Sequence, residues 1–117
     1  MISSSGRKKL IQSAMIAAAL VVCAGSSQAQ NAQQDYATMC TACHGDTGKG
    51  DGPAGKALTP PPTDFATSLK GKSDDWITKA ISQGGAAIGE SPVMPGFTQL
   101  SPAQVKALVD YIKKLGS

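Results

Sequence analysis

Apolar residues recur at helical spacing in three stretches of the chain, and this pattern predicts its main elements. The clearest stretch is residues 102–115. Its continuous apolar stripe consists of Val105, Leu108, Val109, Ile112 and Leu115. The same spacing predicts a first helix over residues 31–43 and a second over residues 74–82. Within residues 31–43, both cysteines fall on the same face as Tyr36.

Helix-capping residues mark the ends of the second and third predicted helices. Ser101 stands just before the third helix, Pro102 takes its first position, and Gln104 completes a capping-box pattern. Ser73 stands in the N-cap position of the second helix. Gly116 follows the third helix as a stop signal. The local chemistry therefore supports the boundaries that the apolar spacing predicts.

No stretch alternates apolar and polar residues as a strand would, so the sequence predicts an all-α fold. The longest connection, residues 45–65, contains five glycines and four prolines. A loop of this length in a small domain is usually functional or disordered. A domain of this size also tends to need a stabilising group in addition to its apolar core. A loop that wraps around a cofactor would satisfy both conditions.

The N-terminal residues follow the pattern of a secretory signal peptide. A basic cluster at Arg7, Lys8 and Lys9 precedes an uncharged apolar run over residues 10–25. Small residues at positions 27 and 29 then match an A-x-A-like cleavage site. We therefore predict a cleaved signal peptide over residues 1–29 and a mature domain over residues 30–117, exported to a bacterial periplasm.

Two alternatives would tether the protein to a membrane. The N-terminal segment could be retained as an anchor, although its apolar run is short for a full span. Cys23 could carry a lipid, although Val22 stands where a small residue is expected. Membrane association is expected only in these two cases.

The formal charge of +3 lies entirely on the N-terminal basic cluster. Residues 30–117 contain eight lysines and eight acidic residues, so the mature domain is close to neutral. Proteins that bind nucleic acid need a basic surface against the phosphates. The sequence therefore predicts no nucleic-acid partner and no strong electrostatic steering.

The candidate chemistry lies in the stretch "MCTACHGDTG", where Cys40 and Cys43 are followed at once by His44, the only histidine. A thioredoxin-like dithiol belongs after a strand in a βαβ unit, and no such unit is predicted. A structural zinc site needs four ligands, and this set is one short. The remaining interpretation is C-x-x-C-H, the attachment signature of c-type haem. Three positions along a helix place both thiols on one face, where they can bond to the two vinyl groups.

A haem iron that only passes electrons needs a second axial ligand, for which methionine is a common choice. The two N-terminal methionines leave with the predicted signal peptide, and Met39 lies beside Cys40 on the proximal side. Met94 remains, between Pro92 and Pro95, which restrict the local backbone. The alternative role for Met94 is a core residue that fills a packing gap.

Residues 30–117 resemble a small class I c-type cytochrome with a single haem. Three motifs in the family's order carry the resemblance: "CTACHG" for haem attachment, "VMPGF" for the distal loop and "LSPAQVKALVDYIKKL" for the C-terminal helix. The resemblance implies about three helices around one haem c, covalently attached at Cys40 and Cys43. It also implies His44 as the proximal and Met94 as the distal ligand of the iron, facing each other across a cleft.

The resemblance carries two further structural expectations. The first and last helices of this family cross, so Tyr36 and Tyr111 are expected near their contact. The segment "PPPTDF" resembles a proline-rich segment of some small members. One carbonyl of residues 60–62 is therefore expected to face His44, without an indication of which one.

These features predict an exported electron-transfer protein that shuttles single electrons between redox partner proteins and is not an enzyme. One alternative is a haem site with a labile distal ligand that binds or turns over a small ligand. Another is a dedicated electron-accepting subunit of a larger oxidoreductase. The optical spectrum distinguishes the first alternative, because a methionine-ligated ferric haem has a weak long-wavelength band that an open site lacks.

Overall fold

The computed structural model describes residue 19 and residues 24–117. Over these ranges the chain forms six α-helices and one 3₁₀ helix, and no strand. The α-helices are α1 (Ala24–Met39), α2 (Thr41–His44), α3 (Pro53–Lys56), α4 (Phe65–Ser68), α5 (Asp74–Gln83) and α6 (Pro102–Leu115). The 3₁₀ helix spans Gly85–Ile88, directly after α5. The predicted all-α fold is confirmed.

The second and third predicted helices are α5 and α6, and their caps form as expected. Ser101 Oγ accepts the N–H of Gln104 at 3.2 Å, and Gln104 Oε1 accepts the N–H of Ser101 at 2.9 Å. Ser73 Oγ accepts the N–H of Trp76 at 3.1 Å at the start of α5. Each cap satisfies backbone donors that would otherwise lack a partner inside the helix.

The first predicted helix differs from the structure, because Cys40 divides it into α1 and α2. The carbonyl of Tyr36 accepts both the N–H of Cys40, at 2.9 Å, and the hydroxyl of Thr41, at 3.1 Å. A threonine hydroxyl that bonds a preceding carbonyl often bends a helix. The chain therefore turns at Cys40 and then makes a single further helical turn that ends at His44.

The N-terminal predictions fall mostly outside the described residues. Residues 24–29, the end of the predicted signal peptide, form the start of α1. The basic cluster, most of the apolar run and Cys23 lie outside the described residues. Cleavage, retention and lipidation therefore stay predictions. Within the described ranges, no helix combines the length and the apolar character needed to cross a bilayer.

The long connection contains two short helices that apolar spacing did not predict. α3 begins with Pro53 at its first position, and Asp64 caps α4 by accepting the N–H of Ala66 at 2.9 Å. A helix of four residues is too short to show a period of 3.6. Capping chemistry is therefore the only local signal of these two turns.

α6 is the central helix of the domain and packs against α1, α4 and α5. Four of the five residues in its predicted stripe are buried, and Leu115 is partly buried. The full buried cluster consists of Tyr36, Phe65, Ile77, Ile81, Val105, Leu108, Val109 and Ile112. Burial of this apolar surface holds the helices together.

The expected contact between the first and last helices is confirmed by two tyrosines. The rings of Tyr36 on α1 and Tyr111 on α6 lie 5.3 Å apart, with their planes tilted by 53°. Such tilted arrangements are favourable for aromatic pairs. At the start of α6, Gln104 Nε2 donates to Asp35 Oδ2 at 3.4 Å, which adds a polar link between the same two helices.

Candidate functional site

The turn between α1 and α2 presents the two candidate thiols. The carbonyl of Cys40 accepts the N–H of Cys43 at 3.2 Å and the N–H of His44 at 2.9 Å. One helical turn therefore separates the two cysteines and brings the histidine directly after them. Both thiols are half-buried and free, with no disulfide between them. Two free thiols in this arrangement fit the attachment of a haem by two thioether bonds.

The protonation of Cys40 does not match a thiol-exchange site. Burial, together with the charge of Asp35 and the neighbouring Cys43, raises the pKa of the Cys40 thiol to about 11. Catalytic dithiols depend on a nucleophilic thiolate, whose pKa the surroundings lower. The environment of Cys40 has the opposite effect and therefore disfavours the dithiol interpretation.

A zinc centre also lacks support. Within the part of the chain that the structure describes, no group of three or more His, Cys, Asp or Glu side chains is placed to hold a metal ion. A structural zinc site requires four such ligands in tetrahedral array. Among the described residues, the C-x-x-C-H motif therefore lacks the further His, Cys, Asp or Glu ligands that a zinc site would need.

His44 has the chemistry of an axial ligand. Burial lowers the pKa of its imidazole below the ordinary value, which favours the neutral form that coordinates metals. Its Nδ1 atom is buried and has no hydrogen-bond partner among the described residues. A buried polar atom without a partner is costly, and such atoms often mark a group or ion that completes the site. The donor set of two thiols and this imidazole fits a covalently bound haem.

The expected hydrogen bond between His44 and a proline carbonyl is not formed at Nδ1. The carbonyl of Pro62 instead lies against Gly50, where a Cβ atom would collide with it. The N–H of Gly50 donates to the carbonyl of His44 at 2.8 Å. The proline-rich segment therefore reaches the histidine through the backbone of Gly50 rather than through the imidazole.

The long connection folds back onto the motif at close range. A Cβ atom at Gly55, on α3, would collide with the carbonyl of Cys43. Only glycine allows this approach, so a buried glycine brings α3 against α2. The loop between α2 and α4 thus covers the motif, as expected for a loop that wraps a site.

Tyr36 connects the motif to the contact between the terminal helices. Its hydroxyl donates to the carbonyl of Gly45 at 2.7 Å, directly after His44. Burial raises the pKa of this hydroxyl well above its ordinary value, so it stays protonated and can donate. The tyrosine side chain is only 2% exposed, so the bond lies in the interior. Sequence periodicity placed Tyr36 on the cysteine face but gave no indication of this bond.

Met94 lies in a loop that is held by backbone hydrogen bonds. Its carbonyl accepts the N–H of Gly85 at 3.0 Å, at the start of the 3₁₀ helix. Further along the loop, the N–H of Phe97 donates to the carbonyl of Ile81 at 2.8 Å, on α5. The side chain of Met94 is half-buried, whereas its neighbour Val93 is exposed. The shared ligation by Met94 and His44 and the cleft between them stay predictions.

The sulfur of Met39 already has a hydrogen-bond partner. Its sulfur accepts a weak hydrogen bond from Gln99 Nε2 at 3.7 Å. This contact joins the end of α1 to the segment before α6. It agrees with the exclusion of Met39 as the distal ligand, which rested on its position beside Cys40.

A contact that the sequence did not reveal is the stacking of Phe65 on His44. The ring centroids lie 4.9 Å apart, and the planes differ by 28°. The two residues are far apart in sequence, and no periodic pattern connects them. The only available signal was the position of an aromatic residue at the end of the proline-rich segment.

The sequence of the domain also matches a known protein family. A family model described as Cytochrome c matches residues 29–116. This range includes Cys40, Cys43, His44, Met94 and α6. No curated protein gives a significant match to the chain. The match extends over more than half of the sequence and over nearly all of the described domain.

Replacement of Tyr36 by Phe tests the bond between α1 and the motif. The ring would still pack against Tyr111, but the carbonyl of Gly45 would lose the hydroxyl donor and keep only the N–H of Gly48, at 3.3 Å. We expect a loss of about 0.5–1.5 kcal/mol in the free energy of unfolding, measured by denaturant titration of the haem-loaded protein.

The control for Tyr36→Phe is Tyr111→Phe at the neighbouring ring. Tyr111 is half-buried, and its hydroxyl makes no hydrogen bond within the described residues. This control should change the stability by no more than about 0.5 kcal/mol. Equal effects of the two substitutions would contradict a specific role for the bond to Gly45.

Proposed function

Because the chain belongs to the cytochrome c family, we propose that it is an exported electron carrier with one haem, ligated by His44 and Met94. The family assigns it to the haem-binding electron-transfer proteins, with haem c attached covalently. The observation that carries the proposal is the turn at Cys40. It combines two free thiols one helical turn apart with a half-buried imidazole whose Nδ1 atom is buried and has no partner in the described chain.

Each residue of the motif has a separate task in this proposal. Cys40 and Cys43 form the thioether bonds, and the bend between α1 and α2 presents both thiols together. His44 provides a neutral imidazole, since its burial disfavours the charged form. When bound, the haem supplies an iron that alternates between the ferric and ferrous states. Tyr36 and α3 hold the motif in place from two sides.

Met94 is the proposed distal ligand because it is the methionine that a fixed loop presents. Two backbone hydrogen bonds hold this loop to α5 and the 3₁₀ helix. A thioether paired with an imidazole raises the potential of a haem. If His44 and Met94 both bound the iron, they would leave no open position for a substrate. Electron transfer to and from redox partner proteins is therefore the proposed activity, rather than catalysis.

Export to the periplasm is the proposed location. The basic cluster, the apolar run and the small residues at positions 27 and 29 support it. The mature domain would then carry balanced charges and only the two cysteines of the motif. An oxidising compartment is compatible with these cysteines once they are consumed in thioether bonds.

Substitution of the cysteines tests covalent attachment in protein exported together with the haem-attachment machinery. The unmodified protein should give the pyridine haemochrome spectrum of a haem with both vinyl groups saturated. Cys40→Ala should give the spectrum of a single thioether, and Cys40→Ala with Cys43→Ala should lose the haem on denaturation. Cys23→Ala is the control and should leave covalent haem unchanged. Absence of covalent haem from the unmodified protein would overturn the proposal.

The mass of the exported protein tests cleavage and copy number together. Cleavage after Ala29 gives a chain of residues 30–117, and one covalent haem adds a single haem mass to it. Intact-protein mass spectrometry measures this sum directly. A mass that includes residues 1–29, or a lipid on Cys23, would instead favour a tethered protein.

Replacement of Met94 by Ala tests the distal ligand. The unmodified ferric protein should show the weak long-wavelength band of a methionine-ligated haem, and its ferrous form should resist carbon monoxide at neutral pH. Met94→Ala should lose the band and bind carbon monoxide readily.

Met39→Ala is the matched control for Met94→Ala, because the sulfur of Met39 contacts Gln99. It should retain both properties of the unmodified protein. Ready binding of carbon monoxide by the unmodified protein would reject stable ligation by Met94. It would favour the site with a labile distal ligand.

A further inference from the structure

The imidazole of His44 lies against an aromatic ring that is itself buried. The ring centroids of His44 and Phe65 are 4.9 Å apart with an interplanar angle of 28°. Phe65 is 8% exposed and belongs to the core cluster. Near-parallel stacking at this distance restricts rotation of the imidazole about its bond to the main chain, because rotation would push one ring into the other.

The stacking is a directional contact of the His44 ring. Histidines that bind metals usually donate their second ring N–H to a carbonyl or carboxylate, and this bond fixes the ring orientation. Stacking on the Phe65 ring restricts the same rotation. It can therefore contribute to the orientation of the His44 ring beside any such hydrogen bond.

Phe65 can perform this function because its own position is fixed from three sides. Its N–H donates to the carbonyl of Gly48 at 2.8 Å, and Asp64 caps the helical turn that it begins. α4 packs on α6, and a Cβ atom at Gly116 would lie 3.0 Å from the carbonyl oxygen of Phe65. The orientation of the ring is thus tied to the end of α6.

Gly48 provides the space in which the ring lies. A Cβ atom at this position would overlap the edge of the Phe65 ring. A larger residue there would therefore push the ring out of its present position. Gly48 is buried, and it lies only four residues after His44. The ring is thus enclosed between the loop that follows the motif and the core of the domain.

We propose that Phe65 is a positioning residue that sets the plane of the His44 imidazole. This inference rests on the proposed function, because it concerns His44 as an axial ligand. Phe65 transmits the position of α6 to the ligand ring through stacking. In a ferric low-spin haem, the plane of an imidazole ligand would act together with the orientation of a thioether ligand to set how the unpaired electron is distributed among the ring methyl groups. That distribution is therefore the property that Phe65 should control.

The proton NMR spectrum of the ferric haem-loaded protein tests the proposal. Phe65→Leu keeps an apolar side chain but removes the flat face, so the order and spread of the shifted haem methyl resonances should change. Phe65→Tyr keeps the ring and should restore the pattern of the unmodified protein. Ile77→Ala is the stability control, because Ile77 is buried in the same core on α5. It should lower the unfolding midpoint and leave the methyl pattern unchanged.

A second pair of variants tests the same contact while Phe65 stays in place. Gly48 and Gly71 have the same positive φ of 73°, so alanine causes similar backbone strain at both. Alanine at Gly48 would meet the Phe65 ring, whereas nothing lies within 4 Å of the corresponding atom at Gly71. Gly48→Ala should therefore change the methyl pattern, and Gly71→Ala should not. This pair keeps the role of Phe65 testable even if Phe65→Leu fails to fold.

The results separate this inference from the proposed function. Haem attachment with the same methyl pattern in Phe65→Leu and Gly48→Ala as in the unmodified protein would overturn the role of Phe65 and leave the electron carrier intact. A change of similar size in Ile77→Ala or Gly71→Ala would show a general response of the core and would also overturn it. Absence of covalent haem from the unmodified protein would instead reject the proposed function.

Discussion

The packing of α6 against α1 and α4 is the contact on which the rest of the structure depends. Tyr36 lies in the α1 contact with its ring against Tyr111, and its hydroxyl continues to the carbonyl of Gly45. Through α4, the same helix fixes Phe65 and the imidazole beside it. Two separate routes thus connect α6 to the C-x-x-C-H turn. A loss of helix packing would release the motif from both sides, so the site and the core form one cooperative unit.

The two halves of the proposed haem site depend on different parts of this framework. The cysteines and His44 lie at the α1–α2 turn and are covered by α3 and the long loop. The loop that carries Met94 is instead attached to α5 and the 3₁₀ helix. α5 also packs on α6. The positions of both halves of the site therefore depend on α6. In this arrangement α6 contributes no candidate ligand, yet it sets the positions of the elements that do.

The sequence predicts the parts of this structure that rest on local signals. α5 and α6 have clear apolar stripes and capping residues, and the C-x-x-C-H spacing is complete within five positions. The bend at Cys40 was not predicted, because it depends on the Thr41 hydroxyl bonding a carbonyl of the preceding turn. The stacking of Phe65 on His44 was not predicted either, since it requires the long loop to return to the motif. Periodicity describes the face of a helix and does not describe which distant residue will cover it.

The anchoring of the Met94 loop through main-chain atoms has an evolutionary consequence. The bonds from Gly85 to Met94 and from Phe97 to Ile81 involve no side chains of the loop itself. The exposed neighbour Val93, with 58% of its surface accessible, contributes nothing to that anchoring. Natural variation at such a position can change size or charge without displacing the proposed ligand. Surface chemistry beside the site can therefore differ between related proteins without a change in the main-chain anchoring of the loop.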